Sequence, residues 1–244
     1  MTRETFDASR ENSSPIWSPD GTRIAFGALR DSKWTIYQKL ANGSGAEDPL
    51  FESDLNSAPM AWSPDGKFMV LRVVATGITQ GDEWLLSLDD KKGTPFLHDS
   101  PNELRAQISP DGKWIAYDSD ETGRPEIYVK PFPSGEGKRQ ISINGGISAR
   151  WRGDGRELFY MTAGASKMVS VQISAAGSTL KSGAPTDLFN TGYVVLNHPG
   201  GSFHHYAVSA DGQRFLVPRP STSTGEGPLA PITVIYNWPA SIKR

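Results

Sequence analysis

Five Asp-Gly pairs are the most regularly spaced chemistry-bearing residues of the chain. Three lie in the phrase Ser-Pro-Asp-Gly, and two lie in altered copies in which the proline is lost. The pairs are Asp20-Gly21, Asp65-Gly66, Asp111-Gly112, Asp154-Gly155 and Asp211-Gly212. Carboxylates can hold a divalent cation or act as an acid and base pair in glycoside hydrolysis, so both chemistries need consideration.

The spacing of these aspartates favours a structural role instead. Successive carboxylates are 45, 46, 43 and 57 residues apart, and a period of this size is typical of a repeat architecture. Repeats related by symmetry would place the five aspartates around a ring, well apart. Within each phrase, Pro sets the first corner of a tight turn, Asp fits the second, and Gly takes a positive φ. We therefore predict that all ten residues are structural turn residues and that none is catalytic.

The histidines offer a second possible chemistry. There are four of them: His98, His198, His204 and His205. The last two are predicted to begin a strand, where adjacent side chains point to opposite faces and cannot share one metal ion. His198 could join one of them, and the alternative is that the imidazoles are exposed to solvent. The acidic loops predicted at residues 118–121 and 89–90 offer too few oxygen ligands for calcium, so we expect no metal and no cofactor.

The composition limits the possible partners. The chain has 244 residues and no cysteine, and its 25 Lys plus Arg nearly balance its 27 Asp plus Glu. Without an excess of positive charge, nucleic-acid binding has no electrostatic support. No apolar run approaches the roughly 20 residues that span a bilayer, so we expect no membrane insertion by this segment. The N-terminus lacks a hydrophobic signal core, which indicates a cytoplasmic protein or a piece of a longer chain.

Short strands on both sides of each turn are expected to position the Asp-Gly pairs. The third unit is the clearest, with predicted strands at 104–108, 113–117, 125–129 and 138–142, and no stretch indicates a helix. Four short strands repeated at this period predict an all-β fold, a β-propeller of four-stranded antiparallel blades. We count five blades in a single domain, 1–244, at about residues 14–53, 57–99, 103–143, 147–190 and 204–238. Residues 1–7 would be an orphan strand or the strand that closes the ring.

Apolar side chains recur beside every turn. Four and six residues after each aspartate stand Ile24 and Phe26, Met69 and Leu71, Ile115 and Tyr117, Leu158 and Tyr160, and Phe215 and Val217. This spacing puts them on one face of a strand, and we interpret it as packing between neighbouring blades. A ligand-stacking set is the alternative, but a single ligand would not need five copies.

The order of motifs resembles a known family. Trp-Ser-Pro-Asp-Gly, then an Ile-Ala-Phe type strand, then an Ile-Tyr strand, is similar to the TolB-like, WD-repeat-like β-propellers of bacteria. The likeness covers nearly the whole chain and is strongest over residues 14–151. Propellers of this family usually have six or more blades, whereas five are countable here.

Four segments carry a narrower resemblance. Residues 123–129, 131–133, 150–160 and 231–238 are similar to the C-terminal propeller of acidobacterial-type transmembrane serine/threonine kinases. The resemblance implies a sensor on the extracytoplasmic side, in a protein whose kinase and membrane span come earlier. The chain has no Gly-rich phosphate loop, no His-Arg-Asp and no Asp-Phe-Gly motif. Any kinase or hydrolase activity would therefore lie in a domain absent from this chain.

These observations predict a non-enzymatic binding, sensor or scaffold module. It would recognise a protein, a peptide or another ligand through its loop face or central channel. The alternatives are the propeller of a TolB-like periplasmic translocation protein and the substrate-gating propeller of a prolyl-oligopeptidase-type hydrolase. A propeller enzyme acting on sugars or lactones is disfavoured because nothing singles out a carboxylate pair. We expect binding at residues 75–82 and 190–203, because both depart from the repeat and loops on rigid scaffolds concentrate binding.

Overall fold

The computed structural model describes residues 12–74, 81–98, 102–133, 137–164, 167–177, 179–191 and 206–217. Every regular element in these ranges is a β-strand. The first sheet has β1 (Asn12–Trp17), β2 (Arg23–Arg30), β3 (Lys33–Leu40) and β4 (Asp48–Ser53). The second has β5 (Asn56–Trp62), β6 (Phe68–Val74), β7 (Asp82–Ser87) and β8 (Lys92–Leu97).

Two further sheets and a strand pair follow. The third sheet has β9 (Glu103–Ile108), β10 (Trp114–Ser119), β11 (Glu126–Pro131) and β12 (Arg139–Gln140). The fourth has β13 (Ile147–Trp151), β14 (Glu157–Met161), β15 (Lys167–Ala176), β16 (Thr179–Ser182) and β17 (Thr186–Asn190). The pair is β18 (Ala207–Val208) and β19 (Phe215–Leu216). Neighbouring strands are antiparallel and consecutive in each sheet, except that β17 returns to pair with β15. The all-β prediction of four-stranded antiparallel units is confirmed.

The structure differs from the prediction in two strands. β1 begins at Asn12, within a stretch that the sequence predicts as loop. The outer edge of the fourth sheet is divided, because β16 pairs with the C-terminal half of β15 and β17 with its N-terminal half. A turn at Gly177, whose φ is +60°, reverses the chain into β16. The predicted orphan or closing strand at 1–7 lies outside the described residues, and so does the part of the predicted fifth blade after residue 217.

The hydrophobic core lies between neighbouring sheets. There are four buried clusters in the described residues. Three lie between consecutive sheets from the first to the fourth, and one lies between the fourth sheet and the β18–β19 pair. The packing interpretation of the repeated apolar positions is confirmed for the following buried members of these clusters: Met69, Leu71, Ile115, Tyr117, Leu158 and Tyr160. The second, third and fourth sheets are thus covered on both faces, which is why their strands need apolar residues on both faces.

The first strand of each sheet lies at an edge and contacts the first strand of the next. β1 contacts β5, β5 contacts β9, and β9 contacts β13. We call β1, β5, β9 and β13 the inner strands. Sheets that pack face to face while their inner strands meet are arranged around a common axis.

A candidate ligand-binding channel between the inner strands

The first four Asp-Gly pairs lie in the turns that join the inner strands to the second strands of their sheets, and the fifth lies in the turn between β18 and β19. In the third copy, the Ser109 hydroxyl donates to the Asp111 carboxylate at 2.6 Å, and the Lys113 N–H donates to the same oxygen at 3.1 Å. The Gly112 N–H closes the turn on the Ser109 carbonyl at 2.9 Å, and Gly112 has a φ of +70°. The carboxylate therefore serves bonds internal to its own turn.

The other copies follow the same geometry with one difference. The Asp20, Asp65 and Asp211 carboxylates each accept bonds from a serine two residues before and a backbone N–H two residues after. In the fourth copy Arg152 replaces that serine; Asp154 keeps the hydrogen bond from the Arg156 N–H at 3.0 Å, and the Arg152 Nε lies 3.6 Å from its carboxylate. Hydrogen bonds from the serine hydroxyls lower the pKa of Asp20 to about 2 and lower those of Asp65 and Asp211. Gly21, Gly66, Gly155 and Gly212 all have positive φ.

The structure does not bring the five aspartates together. Asp20 and Asp65 line a groove between the first and second sheets, and Asp111 and Asp154 line another between the third and fourth. No group of three or more His, Asp or Glu side chains able to hold a metal ion occurs among the described residues. His98 is exposed, while His198, His204 and His205 lie outside the described part of the chain.

A bulge interrupts the pairing of every inner strand near its middle. The register shifts between Ser13 and Ile16 in β1, between Pro59 and Ala61 in β5, and between Ile147 and Arg150 in β13. Where β9 pairs with β10, the shift lies between Ala116 and Asp118 of β10. Ser14, Arg105 and Ser148 adopt positive φ at 53°, 56° and 59°, and each stands six residues before its turn aspartate, as Pro59 does in β5. A bulge redirects a side chain, and non-glycine residues with positive φ concentrate at functional sites.

The inner strands line a channel of about 480 Å³. Its walls are mostly apolar and aromatic, and they are formed by Ser14, Pro15, Ile16, Trp17, Pro59, Met60, Ala61, Trp62, Gln107, Ile108 and Arg150. Trp17 is 50% exposed, and the buried indole N–H of Trp62 has no hydrogen-bond acceptor among the described residues. The channel therefore offers a ligand the apolar surface of the half-exposed Trp17.

Arg150 brings a positive charge to this channel. It is partly buried on β13, and its Nε has no hydrogen-bond partner among the described residues. Burial lowers the pKa of the Arg150 guanidinium, and the electrostatic interaction with the phenol of Tyr206 raises it by a smaller amount. A guanidinium stays charged in proteins, so Arg150 is a desolvated cation beside an otherwise apolar wall.

A buried ionic network lies beside the inner strands, at the end away from the Asp-Gly turns. Arg105, at the bulge of β9, donates to Asp118 of β10 at 2.5 Å. The same carboxylate accepts the Ser148 N–H of β13 at 2.9 and 3.1 Å, so it joins the third and fourth sheets. Burial raises the pKa of Asp118 to about 6 even though Arg105 opposes that rise. The prediction of an exposed acidic loop is wrong for Asp118, because it lies in β10 and is 2% exposed.

Glu83 on β7 is the most desolvated member of this network. Its side chain is fully buried, and neither carboxyl oxygen makes a hydrogen bond of normal geometry among the described residues. Burial raises the pKa of Glu83 to about 8, although the Ala106 amide and the Arg72 guanidinium act to lower it. Glu83 is therefore protonated near neutral pH, unlike an ordinary surface carboxylate.

The two loops predicted to bind a ligand fall mainly on residues that the structure does not describe. Residues 75–80 and 192–203 lie outside the described ranges. Their described neighbours are Gly81, which forms a β-bridge to Asn102, and Thr191, which is buried. Sequence reasoning named a central channel as one possible binding site but missed the residues that line it and the ionic network, because the bulge residues differ from sheet to sheet and share no motif.

Four-stranded antiparallel sheets packed face to face around meeting inner strands define a β-propeller. Residues 3–216 match the family described as TolB beta propeller domain. The chain belongs to this family. No helix long and apolar enough to cross a bilayer occurs in the part of the chain that the structure describes.

Comparison with individual proteins gives the same fold. TolB from Acinetobacter baumannii superposes with a TM-score of 0.65 and 23% identity, over 84% of this chain and 48% of that one. An uncharacterized protein of Agrobacterium fabrum is 30% identical over 112 residues, which is 46% of this chain and 37% of the relative. The tricorn protease homolog 1 of Streptomyces coelicolor is 34% identical over 88 residues, 35% of this chain and 8% of that protein. The chain thus spans less than half the length of each of these proteins.

Proposed function

We propose that this propeller is a binding module that takes an extended segment of a partner protein into the channel between its inner strands. The observation that carries the proposal is the channel wall, where Trp17 is half exposed beside Ile16 and Met60. Large exposed aromatic side chains at a concave site are the usual anchors of protein recognition.

The exposed part of Trp17 sets the size of the expected effect. A tryptophan buries on the order of 200 Å² when fully covered, so covering the exposed half removes about 100 Å² from water. At about 25 cal/mol per Å² this corresponds to about 2.5 kcal/mol. Losing it would weaken binding by more than ten-fold.

Selection from a random library of extended peptides tests the proposal. Peptides selected on the intact chain are synthesised, and their dissociation constants are measured by titration calorimetry. We expect Trp17→Ala to weaken the selected peptides at least ten-fold. Ile143→Ala is the matched control, because Ile143 is 64% exposed but does not line the channel. Failure to select any peptide, or selection of peptides indifferent to Trp17→Ala, would contradict the proposal.

We propose further that the module is a non-enzymatic sensor or scaffold of a larger bacterial protein, as its likeness to kinase-associated propellers implies. The use of the five aspartates in their own turns supports a structural role for them. Coding sequence on either side of residues 1–244 tests the sensor role, since kinase motifs and a membrane span are expected upstream. A broad hydrolase screen with and without divalent metals tests the non-enzymatic role, and robust turnover would refute it.

A further inference from the structure

We propose that Arg150 forms a subsite for a carboxylate of the peptide bound in the channel. The inference rests on the proposed function, because it names the chemical group that this channel selects. The ligand would carry its carboxylate within a few ångströms of an apolar or aromatic side chain, since Arg150 and Trp17 line the same channel.

Arg150 is a cation with no anion paired to it in the described part of the chain. No ion pair to it occurs among the described residues, although Arg105 has Asp118 at 2.5 Å. Its Nε is buried and unpaired. A desolvated charge left unpaired is costly to the fold, and a ligand anion that pairs with it recovers part of that cost. The free energy so recovered would appear as affinity.

Two further buried hydroxyls lie near Arg150. The hydroxyls of Ser148 and Tyr206 are also buried without a hydrogen-bond partner among the described residues. Ser148 lies two residues before Arg150 on β13, and Tyr206 is close enough for its phenol and the guanidinium to influence each other electrostatically. Neither hydroxyl belongs to a residue that lines the channel, so the guanidinium of Arg150 is the group that favours an anion there.

The charge of the channel favours a carboxylate over a phosphate. Arg150 is the one charged residue among the described residues that line it. A carboxylate carries a single negative charge and matches the planar fork of a guanidinium through two parallel hydrogen bonds. A phosphate monoester carries nearly two charges at neutral pH, which one guanidinium would leave partly uncompensated.

Two pairs of small probes test the subsite and distinguish the source of the carboxylate. N-acetyl-tryptophan is compared with its neutral amide to test a chain-terminal carboxylate. Acetyl-Asp-Trp-amide is compared with acetyl-Asn-Trp-amide to test an acidic side chain. We expect the acid of at least one pair to bind five-fold or more tightly than its neutral partner, by tryptophan fluorescence or NMR titration. The pair that shows the preference identifies the source.

Arg150→Gln should abolish the preference for the acid. Arg156→Gln should preserve it, because Arg156 is an exposed arginine on the turn side of the fourth sheet. The ¹⁵N resonance of the Arg150 Nε in the unmutated protein gives a second readout, which should shift with the acid and not with the amide. Equal affinity of acid and amide in both pairs, or a preference that survives in Arg150→Gln, would overturn the inference. If the inference were overturned in this way, library peptides whose affinity still falls in Trp17→Ala would leave the proposed function intact. Absence of any peptide binding would refute both.

Discussion

Replacing Glu83 with glutamine should change how the stability of the protein depends on pH. Glu83 is fully buried, and burial raises its pKa from 4.5 to about 8. For a carboxyl group with a raised pKa, the folded state holds a proton that the unfolded chain releases. Stability therefore falls as pH rises from about 4.5, and the fall ends once the pH exceeds the folded pKa.

The magnitude follows from the two pKa values. One pKa unit corresponds to about 1.4 kcal/mol, so the shift of Glu83 costs at most about 5 kcal/mol once the group is ionised in both states. Between about pH 5.5 and about pH 9 the wild-type protein should lose about 3 kcal/mol through this group. Glutamine is nearly isosteric and neutral throughout, so Glu83→Gln should lack this loss. Asp118, whose pKa is raised to about 6, contributes to the pH dependence of stability in both proteins, in the lower part of this pH range.

Urea unfolding monitored by tryptophan fluorescence at several pH values provides the assay. The quantity of interest is the difference in free energy of unfolding between Glu83→Gln and wild type, which should grow by about 3 kcal/mol from about pH 5.5 to about pH 9. Glu52→Gln is the control, because Glu52 is exposed and pairs with Lys33 at 2.6 Å. Parallel pH profiles of wild type and Glu83→Gln, or a difference that shrinks as pH rises, would refute the account of Glu83.

Three further predictions concern the blades. Asp111→Ala should lower the free energy of unfolding by about 1 to 2 kcal/mol, because two hydrogen bonds are lost. The loss should be larger than that of Asp154→Ala, which loses one hydrogen bond. Equal losses of stability in urea unfolding would contradict this. Gly153→Val should destabilise strongly, since even a Cβ at Gly153 would lie 2.7 Å from the Ala210 carbonyl, and a melting temperature equal to wild type would count against contact between these turns. Removal of residues 1–7 should lower the melting temperature by several degrees if they close the ring, and no change would rule out closure.

The turns and strands were predictable because their signals are local. Ser109, Asp111 and Gly112 lie within four residues of one another, and they bond to each other and to the adjacent backbone. The apolar positions four and six residues after each aspartate alternate as a strand requires, and the clusters between sheets bury them.

The residues that line the channel and those that form the ionic network were not predictable, because both sets depend on contacts between distant residues. Arg105 meets Asp118 only through the pairing of β9 with β10, and Ser148 reaches the same carboxylate from another sheet. Asp118 stands beside Asp120 and Glu121, so its neighbours in sequence indicated an exposed acidic loop. The bulges leave no motif because a serine, a proline or an arginine occupies the same position in different inner strands.

Photo-crosslinking of a selected peptide tests the central claim most directly, namely that ligands bind between the inner strands. A benzophenone group is placed at each position of the peptide in turn, and mass spectrometry identifies the residues that it labels. We predict labels on β1 and β5, with Met60 and Trp17 among them, and a loss of labelling when an excess of unmodified peptide is added. Labels confined to the outer strands β4, β8, β12 and β17, or to the Asp-Gly turns, would contradict the account.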